Sequence, residues 1–159
     1  MKSFNIKATG MSVIICIIFT LNFFNESSKY KEDIGAYDIY TLVILEKKID
    51  NFVEIYHKGE VDKESEEVFR DDIILLSEYL RRSPVLKFMN APVFKIRDYL
   101  AYGYSEKEIA WMSHFQKELR RITRLLHEES DDNIGRVTYH YFQREDNIKV
   151  LKSILSEVE

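Results

Sequence analysis

The stretch Leu100–Phe115, LAYGYSEKEIAWMSHF, decides how the second half of the chain folds. It holds either one long helix that starts after Gly103 or two short helices folded about a turn. Gly103 is a natural stop for a short helix that starts near Pro92, since proline fits a first helical turn and glycine the residue after the last. Ser105 and Glu108 have capping-box spacing, with the serine as N-cap and the glutamate three residues on reaching back to it. Downstream, Met112, Phe115, Leu119, Ile122 and Leu126 recur at spacings of three and four, and neither Gly nor Pro interrupts WMSHFQKELRRITRLLHEE. That spacing predicts one capped helix running to about Glu129.

The residues Leu100–Ala110, LAYGYSEKEIA, also resemble the first half of the helix-turn-helix of LuxR-type transcription factors. There a helix ends at glycine, a small polar residue caps the next, and Glu-Ile-Ala packs inside. The resemblance covers these residues and no more. It implies a short turn next, then a recognition helix in the DNA major groove. The unbroken stripe from Met112 to Leu126 leaves no place for that turn. Arg120, Arg121 and Arg124 then fall on the solvated back of a structural helix. A membrane-tethered DNA-binding regulator is therefore the alternative reading, and nucleic acid is not the expected partner.

The same periodicity extends outward in both directions. Leu42, Leu45, Ile49, Phe52 and Tyr56 form one helical face between Ala36 and about Lys58, and Gly59 supplies the stop. Phe69, Ile73, Leu76 and Leu80 form the face of a helix from about Asp62 to Arg82. Glu64, Glu66 and Glu67 lie in its first turns and Arg81 and Arg82 in its last, which suits the helix dipole at both ends. After ESDDN a last helix is expected from about Asp132 to Glu157, with Ile134, Val137, Tyr141, Ile148, Leu151 and Leu155 on its face. Arg144 falls where that stripe calls for an apolar residue, and Gly135 weakens the first turn. No strand-length alternating run occurs. The expected fold is all-α: an N-terminal membrane anchor helix, then an antiparallel bundle of about four long helices with one short connecting helix.

At the N-terminus, Lys2 and Lys7 precede the uncharged run Met11–Phe24, MSVIICIIFTLNFF, and polar NESSKYKED follows it. This is the pattern of a signal peptide or signal anchor. Counted from Ala8 the run spans about 26 Å as a helix, a marginal fit to a bilayer core of roughly 30 Å. Bulky and charged residues occupy the region where a cleavage site needs small ones, so a retained anchor is favoured. Cys16 is preceded by Ile15 rather than a small residue, which does not suit a lipid-modification motif. The expected organisation is a tail and anchor over 1–27, a polar linker over 28–35 and the bundle over 36–159. Lysines flank the run almost evenly, and the favoured orientation puts the bundle outside the cytoplasm.

The remaining composition excludes more than it assigns. A formal net charge of -4 gives no general attraction to nucleic acid or to an anionic surface, though a local basic stripe is compatible with it. One cysteine excludes an internal disulfide and a cysteine-based zinc cluster. Glu54 and His57 have the Glu-x-x-His spacing of di-iron bundles, but no second copy accompanies them. His114 and Glu118 are a metal pair by spacing alone, more simply a surface contact. No phosphate-binding glycine loop or nucleophile elbow occurs. No cofactor, metal site or catalysis is expected, and an enzyme with an unrecognised site in the bundle is the remaining alternative.

Function is therefore expected to lie in binding another protein, in a regulatory, assembly or immunity-type role, with self-association open. The segment between Pro84 and Tyr104 carries Phe88, Met89, Phe94, Tyr99, Tyr102 and Tyr104, aromatic on several faces. Such rings either cap one end of the bundle core, the favoured reading, or form a partner-binding surface. On the second reading Phe88, Phe94, Tyr99, Tyr102 and Tyr104 are the partner-binding residues.

Overall fold

The computed structural model of the chain describes residues 3–128 and 133–156, with side chains described for residues 18–128, 133–149, 152 and 153. The fold is an all-α bundle. Its elements are α1 (Ser3–His57), α2 (Lys63–Arg82), a 3-10 turn (Lys87–Met89), α3 (Asn90–Tyr102), α4 (Glu106–Glu128), α5 (Ile134–Tyr141) and α6 (Glu145–Ser156).

Three helices carry the bundle, with α1 between the other two. α2 runs antiparallel to α1: Phe52 stacks on Phe69 at 4.2 Å, Lys48 pairs with Asp72 at 2.6 Å, and Asp38 accepts a hydrogen bond from Tyr79 at 3.3 Å. α4 runs antiparallel along the other flank. Tyr104, just before it, meets Phe52 and Tyr56, while Gln116 and Arg120 reach back to Glu46 at 2.8 Å each. The expected stripes are the core. Leu42, Leu45, Ile49, Phe52, Phe69, Ile73, Leu80, Met112, Phe115, Leu119, Ile122 and Leu126 are all buried. At about 2 kcal/mol for each large side chain, this shared interior outweighs any capping or ion-pair contribution.

The stops follow local chemistry. Gly59 has φ +70° and Gly103 φ +102°, conformations that L side chains rarely adopt, and α1 and α3 end beside them. Asp62 caps α2 by accepting from the Ser65 N–H at 2.7 Å, and its own N–H donates to Ser65 Oγ at 3.0 Å. At α4, Glu108 accepts from the Ser105 N–H at 2.8 Å and from its hydroxyl. α4 then continues unbroken through Glu128, so the opening stretch starts one long helix.

Residues 28–35 lie within α1, which is continuous from the N-terminal run into the bundle. No Gly or Pro falls between Asn25 and Ile34 to end a helix, and the stretch has something to pack on. Gly35 meets Gly135 of α5 backbone to backbone. One expectation requires correction: the single last helix is two. Phe142 is buried against Phe88 at 5.8 Å, Arg144 turns to solvent, and Asn147 caps the break by donating to the Tyr141 carbonyl at 2.8 Å. A straight helix would have carried Arg144 into the core stripe. The bundle thus has three long helices rather than four. Leu151 and Leu155 lie outside the described side chains. Gly135 also serves the close crossing of α1 and α5.

The first part of the expected anchor, Met11–Ile17, lies outside the described side chains. From there Ile18, Phe19, Leu21, Phe23 and Phe24 are 52–72% exposed. Among the described residues, no helix is long and apolar enough to cross a membrane.

Candidate functional site

A concavity lies where the C-terminal end of α1 meets the first half of α2. Asp62 and its Ser65 partner fix where α2 begins, and the stacked pair Phe52–Phe69 sets how closely the two helices approach. The result is a cleft of about 330 Å³. Phe52, Phe69, Ile55 and Val68 give it an apolar floor and wall, and Asp62, Glu64 and Asp72 give it an acidic rim. Lys48 lies across Asp72 and closes one end. Val68 at its edge is 56% exposed, and Leu75, two turns further along α2 beyond Asp71 and Asp72, is 70% exposed.

Four polar groups of this cleft pair with one another. Ser65 exchanges hydrogen bonds with Asp62, and that cap holds the Asp62 carboxyl below its usual range, the Ser65 backbone N–H contributing most. Lys48 and Asp72 neutralise each other. None of its ten lining residues is a histidine or cysteine. The cleft offers an apolar floor beneath a charged rim.

The aromatic segment does not form one surface. Phe88 packs half-buried against Phe142. Phe94 is half-buried under the guanidinium of Arg97 at 4.4 Å. Tyr99 sits edge-on to Trp111 at 5.8 Å. Tyr104 packs against Phe52 and Tyr56 and donates to Glu66 at 3.1 Å; burial and that hydrogen bond push its hydroxyl up to about 12. Tyr102 alone stands clear, 89% exposed. Tyr104→Ala should therefore cost about 3 kcal/mol in urea unfolding and Tyr102→Ala less than about 0.5 kcal/mol. Equal losses for the two would contradict this packing.

Other sequence candidates have local partners. Glu54 pairs with Lys58 at 2.6 Å, and His57 is exposed at the end of α1 beside Tyr56. Among the described residues no group of three or more His, Cys, Asp or Glu side chains is arranged to hold a metal ion. Arg120 lies 2.8 Å from both Glu46 and Asp50, and the hydrogen bond to Glu46 raises its pKa further. Arg121 pairs with Glu118 and Arg124 with Glu128, at 3.5 Å each. The arginines that a recognition helix would offer to phosphates thus face carboxylates of the chain itself.

Sequence reasoning missed the α1–α2 cleft. Val68 was the available signal, an apolar residue next to Phe69 and off the buried stripe, with Leu75 seven residues on. No protein-family model, curated protein or solved structure matches the chain.

Proposed function

We propose that the chain is a membrane-anchored helical-bundle protein that works by binding another protein in the cleft between α1 and α2. The observation that carries the binding reading is the cleft itself, an apolar floor with the exposed Val68 at its edge, bordered by Asp62 and Glu64. Exposed apolar strips bordered by charge are where soluble domains meet partners. The partner segment that fits is a helix or extended stretch with one or two large apolar residues flanked by lysine or arginine. The anchoring half of the proposal is supported by the uncharged run Met11–Phe24 and by the exposure of Ile18–Phe24 along α1.

Two measurements test the two halves separately. Alkaline extraction of membranes should leave the chain in the pellet; release to the supernatant refutes the anchor. A photo-crosslinking residue placed at Val68 or at Leu75 in the full-length chain, in its own membranes, should give a discrete adduct. The same residue at Lys117, on the exposed side of α4, should give none. Absence of adducts at both cleft positions, or identical adducts at all three, removes the binding reading. An adduct of twice the chain's mass would make the occupant a second copy.

A further inference from the structure

A second concavity, of about 290 Å³, lies on α5 and the turn that follows it. It is lined by Arg136, Val137, His140, Tyr141 and Arg144, with no carboxylate among the described lining residues. Arg136, His140 and Arg144 are exposed, and they recur every four residues. Their lack of acidic partners sets them apart. Arg70, Arg81, Arg82, Arg120, Arg121 and Arg124 each lie within 4.0 Å of a carboxylate, and Arg97 stacks on Phe94. Arg136 and Arg144 make no ion pair among the described residues. Glu145 and Asp146, the acids next to Arg144 in sequence, both lie against Lys149, at 4.0 and 3.7 Å. In a chain of net charge -4, two bare guanidiniums and an imidazole around one hollow are a local reversal of sign.

The place of the hollow in the fold narrows the anion. α5 crosses α1 at Gly35, where a Cβ on Gly135 would lie 2.2 Å from the Glu32 carbonyl oxygen. This is the end of the bundle from which the exposed apolar stretch Ile18–Phe24 departs. Along α1, Glu32 is eight residues beyond Phe24, about 12 Å at 1.5 Å per residue. The headgroup layer adds roughly 5–8 Å beyond each face of the hydrocarbon core. Long arginine side chains can reach across the remaining few ångströms, as such side chains do at membrane interfaces. Exposed Tyr30 lies between the two levels, a residue type favoured at that depth.

We propose that Arg136, His140 and Arg144 bind the phosphate of an anionic phospholipid headgroup and so seat the base of the bundle on the bilayer. The proposal rests on the anchored reading of the N-terminal run. Two guanidiniums supply forked donors to phosphate oxygens, and the imidazole adds a third donor when protonated. The attraction adds to the apolar anchor and fixes which side of the bundle faces the membrane. The α1–α2 cleft is thereby held at the far end of the bundle, away from the bilayer.

The test uses the full-length chain in nonionic detergent, titrated with short-chain phosphatidylglycerol, short-chain phosphatidylcholine or inorganic phosphate and followed by calorimetry. Phosphatidylglycerol should bind about tenfold more tightly than phosphatidylcholine. The preference should weaken with added salt and disappear in the Arg136→Gln, Arg144→Gln double variant, whose melting temperature should match that of the parent. Equal binding of the two lipids, or a preference that survives in the double variant, overturns the proposal. Inorganic phosphate binding as tightly as phosphatidylglycerol makes the ligand a free anion and also overturns it. The double variant should still resist alkaline extraction. Release of the unsubstituted chain by alkali would be the failure of the anchor instead, read in a separate assay.

Discussion

Alanine at Gly35 should destabilise the bundle by about 3 kcal/mol, or detach α5 and α6 from it, where helix propensity alone predicts the opposite sign. Inside a helix, alanine is favoured over glycine by about 1 kcal/mol. At Gly35 the added Cβ would lie 1.7 Å from the Gly135 carbonyl oxygen and 2.9 Å from the Tyr139 backbone nitrogen. Neither obstacle is a flexible side chain. Both belong to the backbone of α5, so the helices must separate. Separation would expose Thr138 and Phe142, which are buried there. Overpacking of well-packed sites costs typically 1–3 kcal/mol, and a backbone obstacle puts this site at the upper end or beyond. Gly59→Ala is the control. Its φ of +70° makes alanine strained, but nothing lies within 4 Å of the new Cβ, so the cost should be about 1 kcal/mol. Urea unfolding of the full-length chain in detergent measures both. Greater stability for Gly35→Ala would show that α1 and α5 do not cross this closely.

The glycine pair shows how far the sequence could be read. The apolar stripes of α1, α2 and α4 were legible because burial imposes a 3.6-residue period that survives in any context. The start of α4 was legible because capping is local chemistry between Ser105 and Glu108. A close crossing is different. It depends on residues 100 positions apart, and from sequence alone Gly135 looked only like a weak helix former. Arg144 did carry a usable signal. A charge in the stripe marks the point where the helix must break, and the structure breaks it there. The anchor and the bundle were read as separated by a linker because residues 28–35 are polar. Polarity shows that a segment is solvated, not that it lacks helix. The α1–α2 cleft was not legible, since it depends on the register between helices that sequence periodicity does not specify. The aromatic residues from Phe88 to Tyr104 were recognised as a group, but irregular backbone sends their side chains to different neighbours.

Asp38 was hidden by its place in the pattern. It lies four residues before Leu42 and seven before Leu45, on the buried stripe itself, where a carboxylate has no place unless partnered. It is fully buried. Oδ1 accepts from Ser83 Oγ at 3.0 Å and from the Tyr79 hydroxyl at 3.3 Å. Oδ2 is buried with no hydrogen-bond partner among the described residues. Ser83 in turn accepts from the N–H groups of Val85 and Leu86, so this carboxyl ties the end of α2 and the following turn to α1. Burial pushes the pKa of Asp38 from 3.8 up to about 6, against the smaller opposing pull of the Ser83 and Tyr79 hydrogen bonds. The folded state therefore holds its proton more tightly than the unfolded chain does. The contribution of Asp38 is fully present below about pH 4, declines as pH rises through the interval, and is gone above about pH 6. That displacement corresponds to about 3 kcal/mol. Exposed carboxylates with lowered values, such as Glu78 and Glu108, act in the opposite sense at acid pH, so the difference between two chains is the quantity to measure. In Asp38→Asn the amide oxygen keeps the two hydrogen bonds and no charge can form. Its NH₂ group lies where Oδ2 had no partner, at a cost of about 1 kcal/mol. Urea unfolding should find the variant about 1 kcal/mol less stable than the parent near pH 3 and about 2 kcal/mol more stable near pH 7.5, with the crossing near pH 4.5. A difference that does not change with pH would mean that Asp38 is ionised, and solvated, throughout.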